Sequence, residues 1–290
     1  MIPYYSSFLQ LTKAVESVLS QTSSDWLLTI VNDNPLACRR LDSYLVAIND
    51  KRVTCLYNKK NIGITANWNK CIKSATSELV TIFHSDDILD KEYVYKMEQL
   101  AKKHPKHRAY FCNANIIDEF DRPVFSFPDF IKSIIRPKTS ENLIVEGDAG
   151  LASLLKGNYI FCPTVCYRIS GKRPILFSKQ WQMVQDLALY KEILIQGESL
   201  LGCNDKLYNY RRHNNSQTSI LTKNHLRFIE EKALYKDIYS ASLKLQWHKS
   251  SATAKRQLII QLNLFYQVIA NFGRGDFKSS YVLLKLAFTK

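Results

Sequence analysis

The sequence predicts an α/β fold: a mostly parallel central sheet flanked by helices, with a helical C-terminal extension. Three observations lead there. Short apolar runs alternate with helical spacing up to about residue 113, polar and acidic residues recur where those runs end, and the chain after Thr222 reads as helical to its end. The 290 residues allow a substantial core, built as one large domain or as a domain with an appendage.

Leu11, Val15, Val18 and Leu19 recur at helical spacing, and Leu27 to Val31 form an apolar run that ends on Asn32-Asp33-Asn34-Pro35. Val53 to Tyr57 reads as a second strand, Ala66 to Ser74 as a helix, and Leu79 to Phe83 as a third strand. A helix near Glu92 to Lys103 and a strand from Ala109 to Cys112 follow. Only Met1-Ile2-Pro3 precedes Tyr4-Tyr5, so the first strand is expected to be clipped, or the recorded start to fall too late. Residues 113 to 150 lose the alternation and carry Pro123, Pro128 and Pro137, which reads as an irregular excursion forming a wall of the site. Leu151 to Lys156 is expected as helix, Thr164 to Tyr167 as strand, and Asp186 to Ile195 as helix. Lys206 to Arg212 is a strand ending in His213-Asn214-Asn215-Ser216.

The formal charge of +14 and pI near 9.4 imply an anionic partner: nucleotide phosphates, nucleic acid or an acidic membrane surface. Basic residues are dispersed rather than gathered into a stripe with interleaved aromatics, which argues against nucleic acid. Seven scattered cysteines, mostly in apolar segments, read as reduced thiols of a cytosolic protein, and Cys162 and Cys166 lack the second pair a zinc site needs. No signal peptide is visible, and Gln261, Asn263, Gln267 and Asn271 interrupt the apolar stretch from Leu258 to Phe272, so it is not expected to span a bilayer.

Chemistry gathers at strand ends. In a sheet of this kind ligands bind at the carboxyl edge, where Asn32-Asp33, Tyr57-Asn58 and Ser85-Asp86-Asp87 all fall. Two adjacent carboxylates repel unless water or a cation separates them, and hard oxygens suit Mg2+ or Mn2+ bridging to phosphates. The plain alternative is a turn in which one Asp caps the next helix.

Taken in order, these segments resemble the family-2 glycosyltransferases with the GT-A fold, over roughly residues 2 to 218. Ile2-Pro3-Tyr4-Tyr5 resembles the end of that family's first strand, Val31-Asn32-Asp33-Asn34 its base-contacting loop, and Asn61-Ile62-Gly63 with Asn67 its segment along the nucleotide. Phe83-His84-Ser85-Asp86-Asp87 falls on the metal motif, Gln185-Asp186 on the Glu-Asp pair at a helix start, and Tyr210-Arg211-Arg212-His213 with Ser216 and Thr218 on the late segment closing over the diphosphate.

The resemblance implies an inverting, metal-dependent transferase moving a sugar from a nucleotide-diphosphate donor, UDP-linked, to a saccharide or lipid-linked acceptor in bacterial surface polysaccharide synthesis. Asp186 would be the catalytic base. Pro3, Tyr5, Asp33, Asn61, Gly63, Asn67, Ser85, Asp86, Arg211 and Arg212 would bind the nucleotide sugar. Asp86 would meet the ribose or the metal and Asp87 would supply the main metal oxygen, with His84 and His213 as further ligands. An imidazole ligand at His84, where the family often has an acid, favours Mn2+ over Mg2+; otherwise His84 is a neutral residue under the nucleotide. Trp181 and Tyr159 are candidate acceptor platforms, a core position being the commoner role for a single aromatic. Only one of Arg211 and Arg212 is expected to face inward.

On this reading residues 1–113 form the nucleotide-sugar-binding half, 114–222 the acceptor-binding and catalytic half, and 223–290 a basic helical extension. From Asn224 onward the chain holds eleven Lys/Arg against four Asp/Glu. That extension either caps the domain or rests on anionic lipid at the inner face of the plasma membrane. A catalytically silent relative, or a basic nucleotide- or nucleic-acid-binding protein, is the competing reading.

Overall fold

The computed structural model describes residues 1–171, 173–213, 221–222 and 224–288. Ser216 and Thr218 lie outside the described residues. The chain opens with β1 (Ile2–Tyr4), α1 (Phe8–Leu19), β2 (Leu28–Asn32), α2 (Cys38–Ile48), β3 (Val53–Tyr57) and α3 (Ile64–Ser74). β4 (Leu79–Thr81), β5 (Ile88–Leu89), α4 (Tyr93–Lys103), β6 (Ala109–Ile117), α5 (Phe127–Ile135) and β7 (Leu143–Glu146) follow. Then come α6 (Gly147–Leu154), β8 (Cys166–Arg168), α7 (Gln185–Ile195) and β9 (Ser199–Arg211). Four helices close the described chain: α8 (Leu226–Lys244), α9 (His248–Arg256), α10 (Leu258–Gly273) and α11 (Phe277–Phe288).

β1, β2 and β3 form a parallel sheet in that order. Ser7 caps α1, which presses Leu11, Ala14, Val15 and Val18 onto it. The first strand does form, as three residues in register with Ile30 to Asn32. The Met1 amine donates to the Thr81 carbonyl at 3.1 Å and the Phe83 N–H to the Met1 carbonyl at 3.0 Å, which ties the end of β4 to the residue ahead of β1. The second sheet runs β4-β8-β6-β9-β5, with β7 also on β9. It is mixed: β6 and β9 are parallel, while β8 runs antiparallel to both β4 and β6.

The excursion expected over 113 to 150 is corrected. β6 extends to Ile117, and α5 and β7 occupy the rest. Pro128 sits in the first turn of α5, where no intrahelical N–H is lost, so it starts a helix rather than breaking one. Two apolar clusters fill the molecule, one under the parallel sheet with α1 and α4, the other around β6, α6 and α7. Phe228, Leu234, Tyr235 and Ile238 of α8 and Leu264 of α10 belong to the second cluster, so the C-terminal helices share the core built around β6, α6 and α7.

Candidate active site

The carboxyl ends of β1, β2 and β3 lie side by side, with Tyr4, Asn32 and Tyr57 in register. Just beyond them the buried Asp33 carboxylate accepts from the Ile62 N–H at 2.8 Å, the Gly63 N–H at 3.0 Å and the Asn58 side-chain amide at 2.8 Å. That amide also donates to Asn67 Oδ1 at 3.0 Å, and Asn67 donates to the Val31 carbonyl at 3.0 Å. Asp33 and Asn67 therefore shape the 58–63 loop. Asn61, at its exposed tip, accepts from the Gly63 N–H at 2.8 Å. Gly63 opens α3 with φ +85°, a conformation that favours glycine for its backbone freedom, since no neighbour would touch a Cβ there. Pro3 is half-buried in β1, and Tyr5 is exposed, its carbonyl accepting from the Asn34 amide at 2.9 Å.

The acidic pair after β4 divides its labour. Asp87 is buried and both oxygens are engaged: Arg211 N–H donates at 2.7 Å and the Tyr208 hydroxyl at 2.9 Å. Burial holds its carboxyl well above the usual range and the charge of Asp86 pushes the same way, against the pull of Arg211 and Tyr208. Asp86 points elsewhere, with Oδ2 2.9 Å from His213 Nε2. Burial would raise its carboxyl, but the His213 hydrogen bond and the charges of His84 and His213 outweigh that and lower it. Ser85 is half-buried between these groups in sequence. His84 stacks on Trp68, ring centres 5.3 Å apart, and burial pushes its imidazole down. Its Nε2 is buried without a hydrogen-bond partner.

One ligand atom each from His84, Asp86 and Asp87 lies within 4.8 Å of the others, the only such His/Cys/Asp/Glu group among the described residues. An imidazole nitrogen and two carboxylates at that spacing fit a divalent cation, with His213 2.9 Å from Asp86 Oδ2 at the same place. Asp86 has the less committed carboxylate of the pair.

Of the two arginines, Arg211 faces inward. It is buried, donates to the Asp86 carbonyl at 2.6 Å and the Asp118 carbonyl at 2.8 Å, and pairs with Asp121 at 2.5 Å. Arg212 is held by Asp129 in the first turn of α5, through bonds of 2.8 and 2.5 Å.

Asp186 lies in the first turn of α7, its carboxylate accepting from the Asn158 amide at 2.8 Å and the Leu187 N–H at 2.7 Å. Burial raises its carboxyl, while Leu187, the Lys132 charge and Asn158 oppose. Lys132 of α5 sits with its ammonium 4.4 Å from the Phe161 ring centre and is pushed down to about 8 by burial, Asp129 and Asp186 opposing. The Cys162 thiol is raised by burial and by the charge of Asp186, the Lys132 charge opposing and that of Asp87 adding to it.

Two expectations are corrected. Trp181 and Tyr159 are 7% and 2% exposed and belong to the apolar core, so neither offers a ring face to a sugar. Sequence reading missed Asp129, Lys132, Asn158 and Tyr208. The signal for Asp129 and Lys132 was their i,i+3 spacing, hidden by treating 113–150 as irregular.

Residues 1–148 match the family model described as Glycosyl transferase family 2. The chain belongs to that family. WcaA of Escherichia coli (strain K12), a glycosyl transferase named for colanic acid biosynthesis, is 37% identical over 75 residues, covering 26% of this chain and 27% of WcaA. Two further curated relatives are matched over 48% and 42% of their lengths, so the chain spans half of these relatives or less. Among solved structures, S. aureus TarS 1–349 in complex with UDP-GlcNAc superimposes with TM-score 0.59 at 13% identity, over 97% of this chain and 88% of that one. The mannosyltransferase PcManGT from Pyrobaculum calidifontis, in complex with GDP-Man and Mn2+, gives TM-score 0.56 at 13% identity over 99% and 84%. At such identities the likeness concerns the fold, which is GT-A, as expected for this family.

Proposed function

We infer that the protein is an inverting glycosyltransferase that moves a sugar from a nucleotide-diphosphate donor to a saccharide or lipid-linked acceptor. The observation that carries this is the 2.9 Å contact of Asp86 with His213, which joins the loop after β4 to the segment after β9 at the edge where Asp33 shapes the 58–63 loop. Asp86 and His213, with His84 beside them, would hold Mn2+ or Mg2+. A bound divalent cation supplies Lewis-acid stabilisation for the departing diphosphate. Asp87 and Arg211 keep that loop in place.

The base, with the ribose above it, would occupy the edge lined by Pro3, Tyr5, Asn61 and Ser85. Arg212, fixed by Asp129, would add positive charge near the phosphates. Asp186, raised by burial, is suited to take the acceptor hydroxyl proton as that oxygen attacks C1; the C1–O bond to phosphate breaks with its electrons leaving on the nucleotide diphosphate. A single displacement inverts the anomeric centre. WcaA's name supports a place in surface polysaccharide synthesis, and the UDP-GlcNAc and GDP-Man bound to the structural neighbours support a nucleotide-sugar donor.

Thermal shift with UDP and GDP, each with Mn2+, Mg2+ or EDTA, tests the reading. Stabilisation by one nucleotide only with metal, lost in Asp86→Ala, is expected. Stabilisation by duplex DNA instead, with none by nucleotide, would return the protein to the nucleic-acid reading.

A further inference from the structure

Three helices present apolar side chains to solvent. On α5 the charged residues Asp129, Lys132 and Arg136 at its end face the protein, where Asp129 holds Arg212 and Arg136 donates to the Cys203 carbonyl at 2.8 Å. Phe127, Phe130 and Ile134 face solvent. α10 has 16 residues and no charge. It buries Ile260 and Leu264, yet exposes Leu262, Tyr266, Ile269 and Phe272, of which Ile269 is 72% exposed. α11 buries Leu283 and Ala287 and exposes Phe277, Tyr281 and Phe288.

The three faces are continuous. Phe127 stacks on Tyr266, with ring centres 6.1 Å apart, and Phe272–Phe277 and Phe265–Phe288 ring pairs at 5.1 and 6.1 Å join α10 to α11. A helix apolar on both sides needs cover on its outer side. Exposed cations flank the patch: Lys255 and Arg256 ahead of α10, Arg274 and Lys278 around the turn into α11. From Lys255 to Phe288 the sole acid is Asp276, which accepts from the Ser279 N–H at 3.0 Å at the start of α11. At 16 residues α10 is about 24 Å long, short of the roughly 30 Å hydrocarbon core, and no helix among the described residues is long and apolar enough to cross a membrane.

We propose that the outer face of α5 with the α10–α11 hairpin is an interfacial docking surface for an anionic lipid bilayer. Aromatic and aliphatic side chains enter the headgroup boundary while the flanking cations meet lipid phosphates. The extension as a whole is not the docking element, since α8 is built into the core. α5 links surface to chemistry: Asp129 on its inner face holds Arg212, and the Lys132 charge acts on Asp186. Resting on the function proposed above, this lays the acceptor side of the site against the bilayer, where a lipid-linked acceptor would arrive.

Flotation of the full chain with phosphatidylcholine vesicles, and with vesicles containing 30 mol% phosphatidylglycerol (about a third anionic lipid), tests it. Leu262→Gln/Ile269→Gln/Ile134→Gln removes exposed apolar contacts while sparing the aromatic pairs, and Arg274→Gln/Lys278→Gln removes two cations. Wild type is expected to float with the anionic vesicles; the apolar variant loses this, and the cation variant binds roughly 30-fold more weakly. Thermal shift by nucleotide and metal should be unchanged in both, so a failed nucleotide assay and a failed flotation assay remain distinguishable. Absence of flotation, equal binding to neutral vesicles, or undiminished binding of the variants overturns the proposal. So does a stable dimer in place of lipid binding that the apolar variant dissociates.

Discussion

Asp87→Ala and Asp86→Ala should fail in opposite ways. Asp87 accepts two hydrogen bonds inside the protein, from the Arg211 N–H at 2.7 Å and the Tyr208 hydroxyl at 2.9 Å, and it is 1% exposed. Hydrogen bonds to a charged group contribute about 1.5–3 kcal/mol each, and the substitution leaves two buried donors unpaired. Repulsion from Asp86 and the cost of burying the charge offset part of this. A net loss of about 4 kcal/mol follows, which for a chain of this size lowers Tm by roughly 10 °C. Asp86 has one such partner, His213, and removing its charge relieves Asp87, so Asp86→Ala should stay within about 1 kcal/mol of wild type. Its loss falls on function: metal-dependent nucleotide affinity should drop at least ~100-fold. Thermal unfolding and calorimetric titration of UDP with Mn2+ read the two effects separately. An Asp87→Ala protein of wild-type Tm that no longer binds UDP with metal, beside an unstable Asp86→Ala that binds normally, would refute the division of roles.

Asp186→Asn should lower kcat by roughly 100- to 10,000-fold with donor KM little changed. Its raised carboxyl means that the folded state gains stability from protonation below the unfolded value and loses it as pH rises through the folded value, so at pH 7 Asp186→Asn should melt no lower than wild type. In the pH profile of kcat/KM the acidic limb should lie above the ordinary carboxylate range, and Lys132→Met should move it further up by removing an opposing cation; a limb that does not move would separate Lys132 from Asp186. Glu230 of α8 accepts from the Gln182 and Met183 N–H groups at 2.9 and 2.8 Å, just ahead of α7, so Glu230→Ala should cost about 2–4 kcal/mol and reduce kcat, while Glu230→Gln, which keeps one acceptor oxygen, recovers most of both.

Much of the sheet's carboxyl edge was legible because it depends on local pattern. Short apolar runs ending in Asn32-Asp33 and Ser85-Asp86-Asp87 announce parallel strands whose carboxyl ends carry polar groups, and the order of the motifs announced the family. What the pattern could not show was which neighbour each acid meets. Asp86 and Asp87 are adjacent in sequence, yet partners from 121 to 127 residues away decide that one turns into the framework and the other toward His213. α5 was lost for a similar reason: its prolines suggested irregular chain, and its reversed polarity makes sense only once β9 is packed against its charged side. For Trp181 and Tyr159 the sequence left platform and core both open, and the fold buries them in the core.

The most direct test of the central claim is release of nucleoside diphosphate from UDP- and GDP-linked hexoses in the presence of Mn2+, measured for wild type and Asp186→Asn with nucleotide binding followed in parallel. Wild type should release UDP or GDP, and Asp186→Asn should bind the nucleotide with metal as wild type does while releasing it at least ~100-fold more slowly. Release by Asp186→Asn at the wild-type rate, or a wild-type protein that binds neither nucleotide in the presence of Mn2+, would contradict the account.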